Sequence, residues 1–441
     1  MSGMRPILDM NAFREGDSSS AAVSRRLQNV GAASVLFYRE PIEMVGATGA
    51  TMIARDGTRY LDFYNNVPSV GHTHPKVVEA VQRQIATLNT NTRYLVDIVD
   101  RYLDALKSQL PAHLGNVIMT CSGSEANDLA LRVARAATGG TGVVVSHAAY
   151  HGNTALTTDV SPSALKTSSL PDWVVAIAPP GPLQYGQDVA EGFAQAVAAA
   201  IATLEGRGHA PAALLMDSIF SSDGVFADPP GGLVKAADVM RAAGGLVIAD
   251  EVQPGFGRTG SHFWGFARHG LQPDILTMGK PMGNGFPMAA MAAQPDHLAA
   301  FCADVGYFNT FGGNPVAAAA GLAVLEVIHQ EGLMENAHEV GAALIAGLRD
   351  IGHQSAQVGD VRGAGLFIGL DLIEQDSGTA DPAFTVRVID AMRDEGVMIG
   401  AAGREGATLK IRPPLCLTRD EADRFLAAFQ RALDRLAAPK N

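Results

Sequence analysis

Short apolar runs, each closed by glycines or charged residues, recur along the chain at intervals filled by helix-like periodicity. Leu246-Val247-Ile248-Ala249 stops at Asp250 and Glu251, and Ile275-Leu276-Thr277-Met278 stops at Gly279 and Lys280. Runs this short and this uniformly apolar read as strands buried on both faces. Residues 116–120, 143–146 and 212–216 have the same character. Between them the apolar spacing changes to that of helices: from Pro75, over 96–110, after Asn127 (DLALRVARAA), across the alanine-rich 193–204, and over 234–243. Strands alternating with helices predict a doubly wound α/β architecture with a mainly parallel sheet between helices. Residues 51–65 predict a hairpin, with Asp56-Gly57 supplying the turn. Residues 66–72 and 89–95 read as loops.

Beyond about residue 330 the pattern changes. A long helix over 332–351, a strand pair over 359–373, a helix over 383–395, a strand over 408–412 and a closing helix from Arg419 make an α+β block. Residues 1 to about 30 are polar and Ser-rich and predict no clear element, only a flexible or partner-bound arm. The expected division is an arm and part of a smaller domain over 1–70, a large domain over 71–330, and the rest of the small domain over 331–441.

Composition narrows the partners. The chain has 441 residues, 47% hydrophobic and 18% charged, enough to bury a large core. A net charge of -12 argues against nucleic acid or an anionic membrane surface. The three cysteines, Cys121, Cys302 and Cys416, have neither disulfide-framework nor zinc spacing. No apolar signal core opens the sequence, and 193–204 is too short to span a bilayer. The expectation is a cytoplasmic enzyme.

The chemistry starts from the two strand ends. In open α/β sheets ligands bind beyond the carboxyl ends of the strands. An acid at 250 and an amine at 280 suit a cofactor with a ring nitrogen to protonate and an aldehyde to capture, which describes pyridoxal 5'-phosphate. As isolated features the two are better read as an ordinary surface pair at two strand ends, so the cofactor reading rests on what accompanies them. Ser122-Gly123-Ser124 follows a strand and opens a helix, where free N–H groups and the helix dipole favour a phosphate; the alternative is a plain N-cap serine. Tyr150 follows another strand and is placed to stack on a flat ring. His72, His74, His147 and His151 carry no acidic ligand at metal spacing, so no metal is expected. Gly255-Phe256-Gly257-Arg258-Thr259-Gly260 matches GxGxxG but opens no helix and is rejected as a dinucleotide site.

These residues together resemble the class III pyridoxal-phosphate-dependent aminotransferases of fold type I, over almost the whole chain. The motifs are SGSEAN at 122–127, YHG at 150–152, DEVQPGFGRTG at 250–260, MGKPMGNG at 278–285, TFGGNP at 310–315 and RPPL at 412–415. The resemblance implies that Lys280 carries the cofactor as a Schiff base and moves the proton, and that Asp250 keeps the ring nitrogen protonated. It implies Gln253 on the ring hydroxyl, Val252 and Tyr150 on the two ring faces, and Gly123 and Ser124 on the phosphate. Thr310 would reach that phosphate from a neighbouring subunit, making a homodimer with shared active sites, or a tetramer built from it. Ser122, His151 and Asp217 complete the expected cofactor set; Asn66, Val67, Tyr94, Arg404, Lys410 and Arg412 form the expected substrate set.

The chain departs from the family pattern at three places. Lys410 stands where relatives using ornithine or GABA have a carboxylate-binding arginine. Ser221-Ser222-Asp223-Gly224 replaces the segment whose glutamate neutralises that arginine. Asp217-Ser218 replaces the usual Glu-Pro. Side chains alternate along a strand, so Lys410 and Arg412 share a face and could converge on an anion, with Arg404 close in sequence; the alternative is surface charge on an edge strand. Stretches such as NTNTRYL (89–95), HFWGF (262–266) and YFNTFGG (307–313) look closest to the ethanolamine-phosphate phospho-lyases. The expected reaction is transfer of an amino group from an amine or ω-amino acid to a keto acid such as pyruvate. The alternative is elimination of phosphate from O-phosphoethanolamine or a related phospho-amine.

Overall fold

The protein is described by a computed structural model covering residues 20–437. Its centre is a seven-stranded sheet. The strands run in the order Asn116–Thr120, Ala289–Ala293, Ile275–Met278, Leu246–Asp250, Pro211–Met216, Gly142–Ser146, Val174–Ile177. The last five are mutually parallel; Ala289–Ala293 runs antiparallel to both its neighbours. The mainly parallel sheet expected from the apolar runs is therefore present, with one reversed strand that the sequence reading did not anticipate.

Burial on both faces explains the uniform hydrophobicity of the runs. Val143, Val145, Ile248 and Ile275 pack against Leu129 and Val133 of the helix Gly123–Thr138. Their neighbours Val144, Val247, Ala249 and Leu276 face the other way, into the main core that takes in Val197 and Ile201 of Val189–Gly206 and Val324 and Ile328 of Pro315–Gln330. Alternate side chains of a strand point to opposite faces, so each of these strands must be apolar at every position.

Two smaller sheets flank it. Met44–Thr48, Thr51–Ala54 and Arg59–Asp62 form an antiparallel ribbon, and the last pairs in parallel with Val397–Met398 far along the chain. Val358–Ala364, Phe367–Leu372, Thr408–Ile411 and Gly400–Ala402 form the third sheet. Past Ile411 the backbone turns onto the 63–69 loop: Arg412 N–H donates to Phe63 O and Leu415 N–H to Ser69 O. Phe63 also stacks on Phe425 of the closing helix, with ring centroids 4.0 Å apart.

One expectation is corrected. Ala21–Val30 is a helix within the stretch read as lacking any element; residues 1–19 of the expected arm lie outside the described residues. Val23, Leu27 and Val30 stand at i, i+4 and i+7, the spacing of a helix face, but this stripe is short, lies among polar residues and buries only Val23. Among the described residues no single helix is long and apolar enough to cross a membrane.

The small sheet seats the long helix Leu333–Gln354 through one close approach. A Cβ at Gly341 would lie 2.1 Å from the carbonyl oxygen of Gly365, which sits in the turn between two strands. Backbone cannot retreat as a flexible side chain does, so Gly341→Ala is expected to lower stability by about 1–3 kcal/mol. Chemical denaturation checks this, with Gly206→Ala as the control. Nothing lies within 4 Å of a Cβ at Gly206, and its midpoint should be equal or higher.

Candidate active site

The parallel register brings the chemistry together. Met216 pairs with Ala249 and Asp250 with Thr277, so Asp217, Asp250 and the turn carrying Lys280 emerge side by side at the carboxyl end of the sheet. They line one cavity of about 350 Å3, a size suited to a small molecule. Ser122, Gly123, Ser124, Tyr150, His151, Val252, Gln253 and Val67 line it too.

Asp250 is held from behind. Its Oδ2 accepts hydrogen bonds from Asn127 Nδ2 at 2.9 Å and from His151 Nδ1 at 2.7 Å. Its Oδ1 accepts only the Val252 N–H, at 3.1 Å, and so retains a lone pair. Asn127 is itself fixed, its Oδ1 accepting from Thr277 Oγ1 at 2.6 Å. The His151 ring is buried, and its Nε2 has no partner. Asp250 makes no ion pair with a lysine or arginine among the described residues.

Lys280 opens a short 3-10 turn with φ of +32°, a left-handed conformation that costs a non-glycine residue energy and is concentrated at functional sites. The turn is pinned at its far end by Asn284. This side chain donates through Nδ2 to Gly71 O and accepts at Oδ1 from Val70 N–H, tying the turn to the 66–72 loop. Burial holds the Lys280 amine below the usual lysine range; Asp250 opposes that shift and Arg412 adds to it. A lysine so lowered is more often the free amine, which is the nucleophilic form.

Ser122 caps the helix Gly123–Thr138, its Oγ accepting the Glu125 N–H at 3.2 Å. The N-cap alternative therefore holds for its hydroxyl. The cap leaves the N–H groups of Gly123 and Ser124, which have no acceptor within a helix, at the cavity wall. A Cβ at Gly123 would stand 3.1 Å from the Val252 side chain, a tight contact that glycine avoids. Amides at a helix N-terminus for a phosphate, a lysine for an aldehyde, and a carboxylate with a spare lone pair for a ring nitrogen fit pyridoxal 5'-phosphate.

The cationic residues separate. Lys410 is 1% exposed on its strand, and its Nζ finds only Ser221 Oγ, at 3.4 Å, with the Phe367 ring 5.5 Å away. Burial pushes its pKa well down, Arg412 and Lys280 adding to the effect and Asp217 and Asp223 opposing it. The edge-strand alternative does not describe it. Arg412 lies against Tyr64, and its Nη1 donates to Gln253 Oε1 at 3.0 Å. Asn66 Nδ2 donates to the same oxygen at 3.2 Å. Arg404 is exposed and lines a different cavity, with His147. Tyr94 and Thr310 are exposed and stand apart from this chain's own cavity.

Asp217 and Asp223 lie beside Lys410. Asp217 accepts from the Ile219 and Ser221 N–H groups, and burial pushes its pKa up. Asp223 accepts from Ser146 Oγ and Ala148 N–H, and burial raises it to about 6. Sequence reasoning missed Asn127 and Asn284. Both sit inside quoted motifs, but their roles depend on partners that only the fold brings near.

The fold and the site define a pyridoxal-phosphate enzyme of fold type I. More specifically, the chain belongs to the class III aminotransferases: the model of that family, Aminotransferase class-III, matches residues 38–433. The chain is 38% identical over 433 residues to an alanine–glyoxylate aminotransferase 2-like protein of Drosophila melanogaster, covering 94% of this chain and 87% of that one. It is 36% identical over 445 residues to ethanolamine-phosphate phospho-lyase homolog 1 of Caenorhabditis elegans, covering 96% and 95%. A solved phospholyase from Arthrobacter in complex with phosphoethanolamine is 43% identical, with a TM-score of 0.90 over 95% of this chain and 100% of that one.

Directly after Asp250, Glu251 is fully buried and accepts from Ser218 Oγ and from the N–H groups of Gly265 and Phe266. Burial raises its pKa from the ordinary 4.5 to about 7. A carboxyl raised in the folded state contributes stability that is fully present below the unfolded value and lost as pH climbs through the folded one. Wild-type stability should therefore decline between about pH 4.5 and 7 from this group. Glu251→Gln removes that slope, so the melting temperature of the variant minus that of the wild type should grow across the window and level off above it.

Proposed function

We propose that the enzyme moves an amino group from an ω-amino acid, or an amine lacking a carboxylate beside its reacting carbon, to a keto acid such as pyruvate. The observation that carries this is the single cavity shared by Asp250, Lys280 and the N–H groups of Gly123 and Ser124. The bound cofactor supplies an aldehyde and an electron-withdrawing ring. Asp250 Oδ1 holds a proton on the ring nitrogen, while His151 and Asn127 keep that carboxylate aimed and shielded. Lys280 Nζ would hold the cofactor through its aldehyde, and when free it would be the base that takes the substrate's proton and returns it. Val252 and Tyr150 hold the ring between them. Lys410, buried without a carboxylate partner, receives an anionic group of the substrate.

A second reading is elimination of phosphate from O-phosphoethanolamine or a related phospho-amine. It is favoured by the buried Lys410, which has no carboxylate partner, and by the 43% identity to a phospholyase bound to phosphoethanolamine. Both readings use the same proton abstraction by Lys280. In this proposal two copies share their sites, with Thr310 of each reaching the other's phosphate cradle. The exposed Tyr94, Leu95, Phe308 and Phe311 give the apolar surface such a contact needs. The division near residues 70 and 330 and the cytoplasmic location belong to the same reading.

Incubation with an amine and pyruvate, assayed for alanine, and with O-phosphoethanolamine, assayed for phosphate, decides between the reactions. Alanine without phosphate is expected; phosphate without alanine overturns the first reading. Lys280→Ala should abolish either product and the visible absorbance of the bound cofactor. Lys410→Ala should raise KM for anionic substrates by about tenfold or more, the loss of one charge-assisted contact of about 1.5–3 kcal/mol, and change neutral amines less. Equal losses for both substrate types would remove Lys410 from anion recognition.

A further inference from the structure

Arg412 entered as a candidate for binding the substrate's anion, but its surroundings assign its guanidinium elsewhere. The Tyr64 ring lies against the guanidinium, 4.7 Å from Cζ to the ring centroid, and Nε donates to the Tyr64 carbonyl. Nη1 donates to Gln253 Oε1 at 3.0 Å. The backbone N–H of Arg412 is also fixed, on Phe63 O. Gln253 lines the cavity, whereas Arg412 and Lys410 both lie behind its wall; what sets them apart is that the Arg412 guanidinium is already occupied by Tyr64 and Gln253, while Lys410 Nζ reaches only a serine hydroxyl.

The state of Gln253 follows from its partners. Its Oε1 accepts from both Arg412 Nη1 and Asn66 Nδ2, so both lone pairs of that oxygen are used. Two donors cannot face an amide NH2, so the amide is locked with Oε1 away from the cavity and Nε2 available to donate into it. A donor there, backed by a positive charge one hydrogen bond behind it, favours an ionised oxygen over a neutral hydroxyl.

We propose that Arg412 is a positioning residue for the cofactor's ring hydroxyl, acting through Gln253, and is not a contact for the substrate's anion. The inference rests on the cofactor assignment and goes beyond it by giving the cation beside Lys410 a separate task. The anion-receiving role then falls to Lys410 alone. The electrostatic reach of Arg412 to the site is seen at Lys280, whose amine it helps to hold below the usual range.

The test is a spectroscopic titration of the purified holoenzyme without substrate, following the visible absorbance of the bound cofactor against pH. Removing a positive charge and a fixed donor stabilises the protonated chromophore, so Arg412→Met should raise its midpoint by about one unit, a tenfold change in proton affinity. Gln253→Ala should raise it in the same direction, and the added effect of Arg412→Met in that background should fall to less than half. Should Arg412→Met lose the cofactor, Arg412→Lys and Gln253→Ala carry the same comparison, because the lysine keeps the charge without the forked geometry. An unchanged midpoint together with a raised KM confined to anionic substrates would make Arg412 a substrate contact and overturn the proposal. An equal shift in both backgrounds would also overturn it, since the charge would then act without Gln253. A wild-type holoenzyme with no visible band would remove the cofactor assignment itself, which separates that failure from this one.

Discussion

The carboxylate of Asp250, gripped on one oxygen by His151 and Asn127, is the interaction around which the other site features are arranged. A buried carboxylate is expensive unless its lone pairs are satisfied. Here Oδ2 is saturated by two side chains and Oδ1 keeps one position open toward the cavity. The grip exists only because three elements meet. Thr277, across the parallel ladder from Asp250, fixes Asn127 on the helix, and the segment after Gly142–Ser146 delivers His151. A shift of one residue in the pairing of Leu246–Asp250 with Ile275–Met278 would turn Asp250 to the other face and break the chain. Fold stability and cofactor chemistry therefore depend on the same register.

The opposite side of the cavity presents a different electrostatic problem. Lys280, Lys410 and Arg412 are three basic side chains in one region, opposed by Asp217 and Asp223, neither of which forms an ion pair with them. Direct pairing would satisfy the cations and remove them from use. Instead Asp217 and Asp223 are occupied by backbone N–H groups and Ser146, and their pKa values are raised by burial. The acids moderate the potential without capping any cation. Each cation thus stays separately placed: Lys280 on its strained turn, Arg412 on Gln253, and Lys410 on a serine hydroxyl.

Much of this was legible in the sequence, for identifiable reasons. Strands buried on both faces leave unbroken apolar runs, so 246–250 and 275–278 announced themselves, and the acid and lysine closing them marked the site. Ala289–Ala293 was not legible, because five small or flexible residues, AAMAA, carry no β-branched or aromatic signal; its pairing with both neighbours is what makes it a strand. The helix Ala21–Val30 carries only a short stripe, Val23, Leu27 and Val30, which the surrounding polar residues obscured. At the site, residue type pointed to Lys280 and Asp250, whose chemistry is unusual at a strand end. Asn127 and Asn284 were silent, since an asparagine's task is set by partners 123 and more than 200 residues away. Arg404 and Arg412 show the converse. Nearness in sequence to Lys410, or a shared strand face, did not give either the same surroundings: Arg404 lines a different cavity, and the Arg412 guanidinium is occupied by Tyr64 and Gln253.

The remaining step concerns what a buried lysine without a carboxylate partner does to the choice of substrate. The resemblance to members whose glutamate neutralises a carboxylate-binding arginine implies a counter-ion at this place. Here the corresponding segment offers Ser221 to Lys410, and a hydroxyl cannot cancel a charge. A buried ammonium left unpaired is costly, either as the charge or as the proton it gives up, and an anion entering the pocket relieves that cost. Species that carry an anionic group should therefore bind more tightly than those that do not. A keto acid meets that condition, and so do an ω-amino acid and a phospho-amine, whereas a simple neutral amine does not. If the anion is a phosphate on the carbon next to the one losing its proton, expulsion of phosphate competes with return of the proton by Lys280. The balance between the two outcomes then depends on how Lys410 holds that anion relative to the breaking bond. The proton-transfer machinery is common to both, so the chemistry of this chain is divided by the anion's position and not by the cofactor site.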